Sequence, residues 1–321
     1  MKLGVFAVLL GQKNLKEALG YLSDLGVQAV EIGTGGYPGN AHANAAELIA
    51  NPEQLGIFRQ TIADSGLTLS GLSCHGNPIH PQAHIAEAFH RDIENTILLA
   101  EALGLDRIIA FSGCPGDSPS SQWPNWVTCP WPNDYLKVLD YQWHEVLIPY
   151  WRRMAAFARE HGVRRIALEM HPGFCVYNPE TLLRLRDAVG DVIGANFDPS
   201  HLFWQGIDPV AAIRKLGSAI YFFHAKDCSL DPLNIGVNGV LDTKPYHDEI
   251  NRSWIFRTVG YGHGGDVWRD IISALRLVGY DDVISIEHED SLISPGEGLT
   301  KAIEFLRQCL FFSERGDIWW A

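Results

Sequence analysis

Four stretches of this chain end an apolar run in groups able to hold a cation or move a proton. They are Ile166-Ala167-Leu168-Glu169-Met170-His171, Ile193-Gly194-Ala195-Asn196-Phe197-Asp198, Ile220-Tyr221-Phe222-Phe223-His224-Ala225-Lys226-Asp227 and Val283-Ile284-Ser285-Ile286-Glu287-His288-Glu289-Asp290. Buried parallel strands read as continuous Val/Ile-rich runs, so charge confined to the C-terminal end suggests a strand delivering a side chain to a site. Glu169, Asp198, His224 and Glu287 hold those positions. Three carboxylates brought close cannot all stay ionised and unpaired, because desolvated like charges raise one another's pKa. A divalent cation resolves the conflict. Three oxygens and one imidazole suit Mn²⁺, with Mg²⁺ or Co²⁺ as alternatives, better than structural zinc, which prefers thiolates. Each residue alone reads more simply as a loop cap or surface acid; recurrence at four successive strand ends is what points to a metal.

The elements that would position these residues alternate along the chain. Strand-like segments at Leu3–Leu10, Ala29–Ile32, Leu67–Cys74, Arg107–Ser112 and Arg165–Met170 precede the last three of the four stretches above. Helical patterns lie between them, as at Leu15–Leu25, where Leu15, Ala18, Leu19 and Leu22 recur at helical spacing. Others fall near Glu53–Ser65, Gln82–Leu103, Arg153–His161, Pro179–Val189, Pro209–Leu216 and Val267–Val278, with a last one at Gly298–Phe311. Eight βα units in order predict a single α/β domain over residues 1–312, a (β/α)₈ TIM barrel. An open doubly wound sheet is the competitor, but no Gly-rich phosphate turn follows the first strand. Two connections, about 113–141 and 228–265, exceed plain βα loops and are expected on the C-terminal face, where barrel active sites form. The first carries Trp123, Trp126 and Trp131; the second carries Tyr246, Arg252, Trp254 and Arg257. Such loops serve as lids, sugar-stacking walls or subunit interfaces. A tail at 313–321 ends with Trp319-Trp320 before Ala321, a pair costly to leave exposed and expected to pack on the barrel or a neighbouring subunit.

Bulk composition narrows the function classes. A formal net charge of −13 over 321 residues argues against nucleic acid or an anionic membrane surface. The apolar run after Met1 is brief and lacks a small-residue cleavage site, so it reads as a buried first strand. No segment approaches the roughly 18 apolar residues of a membrane span. Six cysteines without a CxxC pair make a disulfide framework unexpected, and a cytoplasmic protein with reduced thiols is the expectation.

The motifs Leu168-Glu169-Met170-His171-Pro172, Asn196-Phe197-Asp198-Pro199-Ser200-His201, His224-Ala225-Lys226-Asp227 and Ile286-Glu287-His288-Glu289 resemble those of the xylose-isomerase-like barrel superfamily. That group includes ketose 3-epimerases, inosose dehydratases and barrel endonucleases of base-excision repair. The resemblance implies that Glu169, Asp198, His224 and Glu287 bind Mn²⁺ or a similar ion, that Glu169 and Glu287 exchange a proton with the substrate, and that His201 contacts sugar. It departs from the epimerases at Leu230, where they carry a sugar-binding Arg. His75-Gly76-Asn77-Pro78, Cys129-Pro130-Trp131-Pro132 and Trp143-His144-Glu145 are similar to a branch acting on 3-keto-glycosides, including C-glycoside deglycosidase catalytic subunits. That likeness makes His144 a candidate base; a homo-oligomer, with or without a small accessory subunit, is the expected assembly.

Two outcomes follow from one chemistry. Proton removal beside a carbonyl and return on the other face or the adjacent carbon gives an isomerase or epimerase. With a leaving group β to the abstracted proton, the same intermediate expels it, giving a lyase or deglycosidase. His75, His201, Lys226, Trp123 and Arg257 are the expected substrate contacts, Lys226 holding an enolate oxygen or simply pairing with Asp227. The substrate is expected to be an unphosphorylated sugar or glycoside; a non-catalytic sugar-binding barrel is the minor alternative.

Overall fold

The computed structural model describes residues 1–320 and closes the eight expected strands into a parallel barrel. In chain order the strands are β1 (Lys2–Phe6), β2 (Ala29–Gly33), β3 (Thr68–Ser73), β4 (Arg107–Phe111), β5 (Arg165–Glu169), β6 (Ile193–Phe197), β7 (Ile220–Ala225), β8 (Asp227–Leu230), β9 (Trp254–Arg257) and β10 (Val283–Ile286). The barrel runs β1 to β7 in sequence and β10 closes it between β7 and β1; β8 and β9 form a separate antiparallel pair. The first strand is shorter than its apolar run, because Ala7–Leu10 turn into a 3₁₀ helix.

The barrel interior is filled at its lower end by Ala29, Ile109, Ala167, Phe222 and Val283. Small residues face the large ones there: a Cβ on Gly71 would lie 2.5 Å from Ile109 Cδ1, and one on Gly4 would lie 2.4 Å from Val283 Cγ1. This layered fill makes the barrel a core and confines any site to its rim.

The surrounding helices are punctuated as their sequences dictate. Ala83–Leu103 ends at Gly104, whose φ of 73° suits a residue without Cβ. Pro179–Val189 begins with a capping box between Asn178 and Thr181. A short helix at Ala45–Ala50 was not foreseen, and Ile148–Glu160 begins before the expected Arg153 because its first turn continues a π-helical stretch, Tyr141–Leu147. Among the described residues no helix is long and apolar enough to cross a membrane.

Both long connections leave from the C-terminal ends of strands. In the first, the Gln142 amide donates to the carbonyls of Pro115, Gly116 and Asn125, pinning the loop to the helix that follows. The second has its own small core of Trp204, Cys228, Trp254 and Phe256, the two indoles stacked at 4.7 Å. It is fastened by Asp227. That buried carboxylate accepts from the backbone N–H of Gly260, Gly262 and His263, from His263 Nδ1 and from Trp268 Nε1. The tail does not pack on its own barrel: Trp319 and Trp320 are exposed and meet each other edge-on.

Candidate active site

Glu169, Asp198, His224 and Glu287 converge above the barrel, each offering one ligand atom, with these atoms within 4.8 Å of one another. Glu169 ends β5, His224 lies near the end of β7, and Asp198 and Glu287 are the first residues beyond β6 and β10.

Glu169 is buried and held from three sides. His201 Nε2 lies 3.0 Å from its Oε1; His75 Nε2 and Asn196 Nδ2 lie 3.0 and 2.9 Å from its Oε2. Burial alone would raise its pKa, but hydrogen bonds from His201, His224 and His75 hold it well below the carboxylate norm. Burial likewise opposes the charged form of Glu287, and there the Lys226 ammonium and His224 hold the carboxyl down. Asp198 differs. Burial dominates, with Glu169 and Glu287 adding repulsion, and Lys226 only partly compensates, so its carboxyl is raised to about 6.

His224 is oriented by a residue outside the expected set. Its Nε2 lies 2.9 and 3.0 Å from the two oxygens of Glu31 on β2, which also accept from Ser73 and Ser285 hydroxyls. A carboxylate can only accept, so Nε2 carries the proton and Nδ1 faces Glu287 Oε2 at 3.1 Å. Asn196 Nδ2 also lies 3.0 Å from this nitrogen and can donate to it only once Nδ1 has lost its proton. Glu31 and Asn196 each sit at a register shift in their strand pairs, β2–β3 and β6–β7. Such irregularities re-aim side chains beside sites. Burial opposes a charged His224, yet Glu31 and Glu287 hold its pKa well above the usual value; cation binding at Nδ1 would release that proton.

The donor set fits a divalent cation. Asp198 Oδ2 and Glu287 Oε2 are buried and accept no well-formed hydrogen bond, although Lys226 Nζ lies at ion-pair distance, 3.1 and 2.8 Å. Two unsatisfied carboxylate oxygens facing one imidazole nitrogen are what a hard cation takes, and the buried Glu31–His224 pair is the outer support such ligands use.

A cavity of about 560 Å³ opens over this floor. Glu169, Glu287, His75 and Lys226 line its base, while Tyr37, Phe111, Phe174, Tyr246 and Phe256 form its walls. Tyr37 is placed by Gly36, whose φ of +68° and approach to the His75 carbonyl leave no room for a Cβ. His171 also faces the cavity, its Nδ1 donating to the Pro172 carbonyl at 2.6 Å.

Several expected contacts lie elsewhere. His144 is on the π-helical stretch, more than half exposed, beside Asp140 and Arg184, so it is no candidate base. Trp123 is 73% exposed and away from the cavity wall. Arg257 is drawn to Asp290 at 3.2 Å and lies over Tyr261, because β9 directs it towards the β10 loop. His201 sits behind Glu169, bridging it to Asp198, and does not line the cavity. Lys226 does not pair with Asp227, whose oxygens the connection consumes; it turns to Asp198, Glu287 and Glu289. The sequence reading passed over Glu31, although a charge inside Ala29-Val30-Glu31-Ile32-Gly33 was a visible signal.

Comparison with known proteins places the fold. The xylose isomerase-like TIM barrel family matches residues 19–309. An uncharacterised protein of Bacillus subtilis, YfiH, is 40% identical over 97% of this chain and 99% of its own. A D-tagatose 3-epimerase-like protein superposes with TM-score 0.64 at 19% identity, over 96% of each chain. The probable 3-DHS dehydratase AsbF of Bacillus anthracis does so with TM-score 0.63 at 16% identity, over 96% of this chain and 99% of its own. This chain belongs to the xylose isomerase-like TIM barrel family.

Proposed function

We propose, with that family membership as premise, that the protein is a divalent-metal-dependent carbohydrate isomerase or epimerase. The observation carrying this reading is that Glu169 and Glu287 open on one cavity with Asp198 and His224 completing a cation site between them. Glu169, Asp198, His224 and Glu287 would hold the cation, Mn²⁺ by preference. When bound, it would polarise a substrate carbonyl and its neighbouring hydroxyl and stabilise negative charge developing there.

The protein's own groups divide the proton work unequally. Both glutamates are held ionised, so either can start as a base, but a base cannot return a proton to the opposite face until it has acquired one. Glu169, 2% exposed and tied by His201, His75 and Asn196, is fixed in place and suits proton abstraction beside the carbonyl. Glu287 has a 12% exposed side chain and is the one able to take a proton from solvent and deliver it. Lys226, between the acids, offers its ammonium to the oxygen that gains charge.

A second reading is favoured by the cavity itself. About 560 Å³ with an aromatic upper wall also accommodates a glycoside carrying an apolar substituent. On a 3-keto-glycoside the same abstraction would expel that substituent. Incubating Mn²⁺-loaded protein with free ketoses and with 3-keto-glycosides, followed by NMR, tests both. Epimeric or isomeric sugar supports the first, released aglycone the second, and no reaction with either class overturns the catalytic reading.

A further inference from the structure

We propose that Lys226 sets how tightly this site takes a divalent cation, with Glu289 as the partner to which it retreats. The inference rests on the cation site of Glu169, Asp198, His224 and Glu287 argued above, and adds a competitor to it. Lys226 is buried, and its Nζ lies 3.1 Å from Asp198 Oδ2, 2.8 Å from Glu287 Oε2 and 3.1 Å from Glu289 Oε2. Its ammonium sits 4.8 Å over the Phe256 ring, which steadies it without supplying an acceptor. The two ligand-side oxygens it faces are the same two that lack a well-formed hydrogen bond. One ammonium and one dication therefore address the same lone pairs.

The third partner is different in kind. Glu289 is not one of the four converging ligands, and its side chain is about half exposed at the cavity wall. It offers the ammonium a place that leaves Asp198 and Glu287 free. Without the cation, Lys226 offsets repulsion among the buried acids. With the cation present, like charge drives Nζ towards Glu289. Removing the Lys226 charge should tighten cation binding twice over, by deleting a repulsion in the loaded protein and a compensation in the cation-free one. Removing Glu289 should weaken it, because the ammonium then has only the ligands to pair with.

Calorimetric titration of metal-stripped full-length protein with Mn²⁺ reads this without any substrate. K226M is expected to lower Kd at least about tenfold, and K226R to stay near wild type. E289Q is expected to raise Kd roughly threefold, and to have little effect in the K226M background. Equal or weaker Mn²⁺ binding by K226M overturns the proposal, as does an E289Q effect of equal size in both backgrounds. Should cation-free K226M fail to fold, E289Q alone decides: unchanged or tighter binding overturns it. Absence of Mn²⁺ uptake by the wild type is a separate result that removes the site reading itself.

Discussion

Glu31 and His224, 193 residues apart in the chain, meet in a buried carboxylate–imidazole pair at 2.9 Å. The pair fixes which ring nitrogen faces the cavity floor, so β2 supports a candidate ligand on β7 from outside the four-residue set. Replacing such an outer partner typically costs about 10–100-fold in metal affinity. E31Q should therefore weaken Mn²⁺ binding by that order while the fold persists, as read by calorimetry and circular dichroism. Unchanged affinity would mean the ring is oriented by Asn196 alone.

His144 gives the opposite expectation. It is exposed on the π-helical stretch and pairs with Asp140, so H144A should change kcat/KM by no more than about twofold. H75A, which removes a donor to Glu169, should cost far more on the same substrate. Steady-state kinetics on the two variants separates a base on the insertion from one at the barrel floor.

Cation binding should depend on pH through Asp198. Its carboxyl is raised to about 6 by burial and neighbouring acids, so in the metal-free protein it holds a proton below that pH. A raised carboxyl favours the folded state at low pH, and this contribution fades as pH rises through 6. The cation requires the ionised form, so Mn²⁺ affinity should climb over the same interval. Titrations at pH 5 and pH 7 check this, and a flat profile would count against it.

Asp227 makes a stability prediction free of catalysis. Its carboxylate gathers backbone donors from Gly260, Gly262 and His263 and the indole of Trp268. D227N turns an amide N–H towards donors and should destabilise by about 2–3 kcal/mol, seen as a lower urea midpoint. Faster proteolysis within 228–265 should accompany it, since this residue fastens that connection.

The barrel and its four converging groups were legible because both rest on local pattern. Apolar runs ending in Glu169, Asp198, His224 and Glu287 report strand ends directly. What escaped depends on geometry between distant segments. Glu31 and Asn196 acquire their aim at register shifts, which strand periodicity does not encode. Trp123 and Arg257 were expected at the cavity because their loops rise on the correct face, but a loop's face does not fix a side chain's direction. For Lys226 only the plainer alternative, a pair with Asp227, falls away, since Asp227's claim by Gly260, Gly262 and His263 is a long-range contact.

The central claim is that a proton leaves carbon and exchanges through a glutamate, and turnover in D₂O tests it most directly. With Mn²⁺-loaded wild type and a ketose it converts, NMR should show solvent deuterium on the carbon next to the carbonyl, because Glu287 draws its proton from water. E169Q should show neither turnover nor exchange while retaining its circular dichroism spectrum. Product formed with its original hydrogen retained would contradict the two-glutamate account.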